Sequence, residues 1–135
     1  MVPNGYKEID HTADLALKVW GNDFFDLLEN AAEGMYELMG IREKPGSQAE
    51  NSFQIENDQK ESILVDFLSE CLYLAEMENH RFTSFSFKES KKEITVKAQG
   101  SVIKTIDRNI KAVTFHNLEI KKKSRGFETT ITFDV

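Results

Sequence analysis

Apolar and polar positions alternate at Leu15, Leu17 and Val19 against Ala16, Lys18 and Trp20. That period of two predicts a half-buried strand closed by Gly21, with a shorter strand candidate before it at 6–10. The period then changes. Phe25, Leu28, Ala32, Met35 and Met39 recur at helical spacing, which predicts one amphipathic helix over 24–39. Asp23 is its expected N-cap, Asp26 adds favourable negative charge to the first turn, and Gly40 stops it. A loop around Pro45-Gly46-Ser47 and a short strand near Phe53 and Ile55 follow. A second helix is predicted over 59–77, entered through Asp58 and Glu61 in a capping-box arrangement. Its apolar set (Ile63, Leu64, Phe67, Leu68, Cys71, Leu72, Leu74, Ala75) is broad, so it should be covered over much of its circumference. Asp66, Ser69, Glu70 and Tyr73 form its polar stripe.

The rest of the chain reads as strands. Phe85 and Phe87 share one face, and Ile94, Val96 and Ala98 share another across a turn at 89–92. After Gly100 the pattern weakens until Ala112, Thr114, His116, Leu118 and Ile120. A clean alternation of Phe127, Thr129, Ile131, Phe133 and Val135 ends the sequence. The order β-β-α-β-α-β-β-β-β predicts an α+β fold in a single domain, 1–135, with two helices covering one face of a mainly antiparallel sheet.

Composition narrows the class. With 135 residues, 40% hydrophobic and 30% charged, the chain suits one compact domain and excludes disordered and collagen-like classes. It has no apolar run long enough to span a membrane, and its first residues lack the basic and apolar regions of a secretory signal. The expectation is a cytoplasmic protein without membrane partners. The one cysteine, Cys71, cannot form an internal disulfide and falls on an apolar helix face, as a buried thiol would.

The net charge of −6 argues against tight generic binding to nucleic acid. Its distribution is uneven: residues 1–80 hold 5 Lys/Arg against 17 Asp/Glu, and residues 81–135 hold 12 against 6. The run Lys121-Lys122-Lys123-Ser124-Arg125 suits either a basic face for RNA or a solvated hairpin turn. Lacking interleaved aromatics and preceding Gly126, it favours the turn.

Common catalytic signatures are missing: no Gly-rich phosphate loop, no His-Glu-x-x-His, no calcium loop and no Gly-x-Ser-x-Gly turn. Asp10-His11-Thr12-Ala13-Asp14 remains. Two carboxylates and an imidazole at a strand boundary can supply hard oxygen ligands or a general base. They can equally form a turn in which aspartates bond local amides. Asp134, facing away from Phe133 and Val135, is the other suggestive carboxylate.

These residues carry a resemblance. Gly5-Tyr6-Lys7-Glu8-Ile9-Asp10-His11-Thr12-Ala13-Asp14 is similar to the opening of the archease family, which reads aromatic-x-x-x-Asp-His-Thr-Ala-Asp. The similarity runs on through Trp20-Gly21, Glu29-Asn30-Ala31-Ala32, the segment Leu64 to Leu74, Lys111-Ala112-Val113-Thr114-Phe115-His116 and Asp134-Val135. It covers nearly the whole chain in order.

The resemblance implies a non-catalytic accessory protein of a tRNA-splicing RNA ligase, promoting GTP- and metal-dependent guanylylation and multiple turnover of that enzyme. The implied partner is the ligase, with RNA met indirectly through it. The implied cofactor is a divalent ion (Ca, Mg or Mn) at Asp14 and Asp134, with His116, Lys111, Asp10 and His11 in support. One departure is visible: where relatives often carry Gly-Glu, this chain has Gly100-Ser101, so Asp107 is a candidate replacement ligand. The alternatives are an RNA-binding chaperone for tRNA-processing enzymes, using the basic run, and a metal-dependent phosphohydrolase using the same aspartates.

Overall fold

The alternating segments at opposite ends of the sequence are partners. In the computed structural model, which describes residues 5–9 and 14–135, β1 (Tyr6–Ile9) pairs antiparallel with β2 (Leu15–Gly21). The other edge of β2 pairs with β9 (Gly126–Asp134), from Leu15↔Phe133 to Gly21↔Phe127. Two short strands, β7 (Ala112–Val113) and β8 (Lys121–Lys123), occupy the far edge of β9. These five strands form the first sheet.

A second sheet is built round β6 (Glu93–Ile106), with β5 (His80–Glu89) on one edge and β4 (Ala49–Glu56) on the other. The short β3 (Ile41–Glu43) pairs with the last residues of β6. Two helices, α1 (Phe24–Met39) and α2 (Lys60–Met77), each touch strands of both sheets. One core runs from Leu17, Val19, Ile131 and Phe133 of the first sheet, through Met35, Phe67 and Leu68, to Ile55, Ile94 and Val96 of the second. The α+β class and the order of the expected elements hold. The refinement is that two sheets enclose the helices, where one covered face was expected. The reason lies in α2: Ile63, Leu64, Val65, Phe67, Leu68, Cys71, Leu72, Leu74 and Ala75 are all buried, and no single sheet can cover so wide a stripe.

Local chemistry sets the helix ends. Asp23 caps α1 by accepting from Asp26 N–H at 2.8 Å, and Asp26 returns the bond to Asn22 N–H at 2.8 Å. Gly40 ends the helix at φ 61°, a left-handed conformation glycine adopts without a Cβ clash. The expected capping box on α2 does not form. Gln59 is the N-cap without a side-chain bond, Asp58 accepts from Gln59 N–H, and Glu61 accepts from Ile120 N–H at 2.9 Å. A long-range bond has taken the residue that would have closed the local one.

The strand expected over 112–120 is also interrupted. After Val113 the chain turns, with Leu118 N–H on Phe115 O at 3.0 Å and Asn117 at φ 52°, and re-enters the sheet at Lys121. The basic run is a hairpin, as expected, although its lysines form the strand and Ser124-Arg125 the turn. No helix among the described residues is long and apolar enough to cross a membrane.

Gly34 is where α1 meets the first sheet. A Cβ there would lie 2.6 Å from Leu17 Cδ2 and 2.9 Å from Tyr6 Cγ. Gly34→Ala gains about 1 kcal/mol of helix propensity but overpacks a site with no free space, at about 1–3 kcal/mol. Net destabilisation is expected, read as a lower urea midpoint with an unchanged m-value. An unchanged or higher midpoint would show that the helix can move off β2.

Candidate functional site

The β2–β9 ladder determines where the two carboxylates of interest lie. Leu15↔Phe133 is its last registered pair, so the next positions outward are Asp14 on one strand and Asp134 on the other. Phe133 is fully buried and Asp134, one residue on, is exposed on the opposite face. Strand alternation puts Asp14 on that same outer face, where it is partly exposed. Positions directly opposite across an antiparallel pair have Cβ atoms about 5 Å apart, close enough for two carboxylates to share one cation.

On its other side Asp134 is paired with Ala112 of β7. The neighbouring cross-strand pair on this face is Ala16↔Thr132, so the surroundings are small side chains. Lys111 N–H donates to the Asp134 carbonyl at 2.7 Å, and both the N–H and Oγ1 of Thr114 bond Thr132 O, at 3.1 and 2.9 Å. These bonds strap residues 111–114 along β9. The role of Thr114 was not evident from the sequence, where it reads as an ordinary strand residue; only the register shows that it anchors the strap.

The remaining sequence-derived candidates divide. Lys111 is exposed beside Asp134. His116 is exposed two residues beyond Thr114, its ring 3.3 Å from Asn117 Nδ2. Asp10 and His11 lie outside the described residues. Asp107 sits at the C-terminal end of α1, its N–H on Met39 O at 3.0 Å, and Ser101 lies in the second sheet, donating to Glu43. Among the described residues, no group of three or more His, Cys, Asp or Glu side chains is arranged to hold a metal, and neither Asp14 nor Asp134 has an ion-pair or side-chain hydrogen-bond partner. Carboxylates at opposite positions of neighbouring strands repel unless a cation lies between them. Hard oxygen donors of this kind fit Mg²⁺, Mn²⁺ or Ca²⁺ and would supply two of its ligands.

A half-buried polar cluster lies elsewhere, and it too was missed from sequence. Arg81 forms an ion pair with Glu43 at 2.7 Å and lies over the Tyr36 ring, 5.4 Å from its centre. The Ser101 hydroxyl holds the Glu43 carboxyl below its ordinary pKa; burial opposes it, and the Arg81 guanidinium adds to the lowering. Burial pushes the Tyr36 hydroxyl well up, and the Cys71 thiol up to about 12. Cys71 is therefore no nucleophile. The basic hairpin is partly neutralised, with Lys121 3.8 Å from Glu119 and Lys123 3.7 Å from Glu128.

Comparison with known proteins agrees with this architecture. Residues 6–135 match the model of the Archease protein family (MTH1598/TM1083). The chain belongs to the archease family. It is 32% identical to protein archease of Methanosarcina mazei over 96% of this chain and 95% of the relative. It is 30% identical to protein archease of Methanothermobacter thermautotrophicus over 97% and 99%. Among solved structures, the solution structure of Methanobacterium thermoautotrophicum protein 1598 superposes with a TM-score of 0.71 at 21% identity, covering 98% of this chain and 99% of that one. The crystal structure of an archease from Thermotoga maritima, described as a possible chaperone, gives 0.69 at 25% identity with 96% of each chain covered.

Two measurements follow. Mn²⁺ titrated into isotopically labelled archease should broaden amide signals at Asp14, Lys111–Ala112 and Asp134 first, and Asp134→Asn should abolish that selectivity. Equal broadening along the acidic faces of both helices would mean generic ion binding. Cys71 should resist thiol reagents at pH 8 in the native state and react fully once unfolded. Because folding raises its pKa from 9.0 to about 12, its contribution to stability is complete below pH 9 and disappears as pH rises through that interval.

Proposed function

We propose that this archease is an accessory activator of a tRNA-splicing RNA ligase, promoting the metal- and GTP-dependent guanylylation of that enzyme and its repeated turnover. The ligase performs the chemistry, and RNA is met through it. The observation that carries this reading is the placement of Asp14, partly exposed, and Asp134, exposed, at adjoining strand ends in a chain of this family. Guanylylation is a nucleotidyl transfer, which depends on positioning and charge neutralisation more than on covalent participation by side chains.

A divalent ion held at the pair would supply positive charge for triphosphate oxygens. The chain's own residues do the rest. Asp14, partly exposed, and Asp134, exposed, present hard oxygens at the end of the strand pair, where a partner can reach them. The Lys111 backbone holds the Asp134 strand end in place, and its side chain is exposed to a partner. His116, two residues beyond the strap, is exposed to a partner surface.

With a cognate ligase, labelled GTP and Mg²⁺ or Mn²⁺, wild-type protein should accelerate label incorporation into the ligase. Asp14→Ala and Asp134→Ala should each lower that stimulation by about tenfold or more while keeping wild-type circular dichroism. Undiminished stimulation by both variants would refute the site, and absence of stimulation by the wild type would refute the function. Charge reversal at Lys121–Lys123 should leave stimulation intact. If instead it abolishes activity together with salt-sensitive RNA binding, the RNA-chaperone reading is favoured.

A further inference from the structure

On its solvent side α2 exposes two large apolar side chains, Tyr73 at 56% and Met77 at 65%. They stand four residues apart, one above the other on the helix surface. Asp66, Ser69 and Glu70 continue the same face, and Glu76 and Glu78 lie exposed beside it. Between residues 61 and 78 there is no Lys or Arg. Among the described residues, none of Asp66, Glu70, Glu76 and Glu78 takes part in an ion pair.

This face costs the helix stability twice. Asp66 and Glu70 are like charges at i and i+4, which repel. Glu76 and Glu78 sit at the C-terminal end, where the helix dipole favours cations, and the last turn has no basic residue. Neither cost is offset by an ion pair among the described residues. The opposite side of α2 is rigid, with Phe67, Leu68, Cys71 and Leu72 all buried, so the face is preorganised for a partner. Tyr and Met are side chains suited to anchoring an interface, the first as a large amphipathic contact and the second as an adaptable one. The helix also packs on β7, the strand beside Asp134, so the face and the carboxylate pair are held in a fixed relation.

We propose that the outer face of α2, centred on Tyr73 and Met77 and ringed by Asp66, Glu70, Glu76 and Glu78, is the surface by which the protein docks on its ligase, against a basic patch with an apolar centre. The choice of occupant rests on the ligase reading above and on charge: an enzyme that binds RNA must present basic surface to phosphates, and this face is uniformly acidic. The face sets affinity, whereas Asp14 and Asp134 act after docking.

The test uses the full chain and the intact ligase, with affinity measured by titration calorimetry and stimulation measured as GTP-label incorporation. The double variant Tyr73→Ala/Met77→Ala should bind about tenfold or more weakly and recover full stimulation at saturating concentration. Asp14→Ala should bind normally yet fail to stimulate at any concentration. Asp66→Lys/Glu70→Lys should weaken binding and flatten its salt dependence. All four positions are surface ones, and unchanged thermal melts show the variants to be folded.

Wild-type affinity in both double variants overturns the docking surface while leaving activation standing. So does a loss of stimulation that saturation cannot restore. Binding that depends on Tyr73 and Met77 but brings no stimulation upholds the surface and overturns activation. A concentration-dependent dimer that needs Tyr73, with no ligase bound, makes a second copy the occupant and overturns the proposal.

Discussion

The pairing of β2 with β9 is the constraint on which the other features rest. It joins segments from the two ends of the sequence, so loop closure opposes it and local propensity does little to secure it. Burial secures it. Leu17, Val19, Ile131 and Phe133 are all at most 1% exposed, and each contributes about 1.5–3 kcal/mol on leaving water. A strand alternates faces with a period of two, so a slip of one residue would drive Asp134 inward and expose Phe133. The core thus fixes a register whose outer consequence is the placement of Asp14 beside Asp134. The geometry of the candidate site follows from packing on the opposite face.

The second sheet depends on the helices in a less obvious way. The free edge of β5 is blunted by α1: Phe82 N–H donates to the Tyr36 hydroxyl at 3.4 Å and Phe85 N–H to the Glu29 carboxylate. Side chains from a helix here occupy donors that would otherwise invite another strand. Tyr36 also lies under Arg81, which reaches Glu43, and Glu43 accepts from Ser101. Helix α1 is therefore tied to β3, β5 and β6 by one chain of polar contacts. Ser101 has a place in this cluster: its hydroxyl donates to Glu43, next to the guanidinium that pairs with the same carboxylate.

What could be read in the sequence follows from how far each signal reaches. Helix α1 and its Asp23 cap were legible because spacing and capping are local, and both appear where the pattern puts them. The terminal strands were legible for the same reason, although not their pairing. The box at Asp58 and Glu61 failed because Ile120, far along the chain, claims the Glu61 carboxylate. The interruption after Val113 was hidden because Thr114, His116, Leu118 and Ile120 keep period-two spacing through a turn that hydrogen bonding dictates. Of the site, the two aspartates could be nominated from resemblance. Their adjacency, the strap through Lys111 and Thr114, and the separation of Ser101 and Asp107 from them required the tertiary register.

The charge asymmetry of the chain now has a structural meaning. Both helices belong to the acidic part, and the basic part is β5 to β9 with its turns. In α1, Asp26 accepts from the Asn22 amide, and Asp26, Glu29 and Glu33 share a cleft with Arg81, whereas Glu37 is exposed. The carboxylates of α2 outside its first turn have no such internal use among the described residues, and they surround the two large apolar side chains that the helix leaves in water. A helix whose buried side is so fully packed could carry lysines on its outer side at no expense to the core. That it carries only acids around Tyr73 and Met77 is the basis of the docking surface proposed above, as the neighbouring positions of Asp14 and Asp134 are the basis of the proposed ion site.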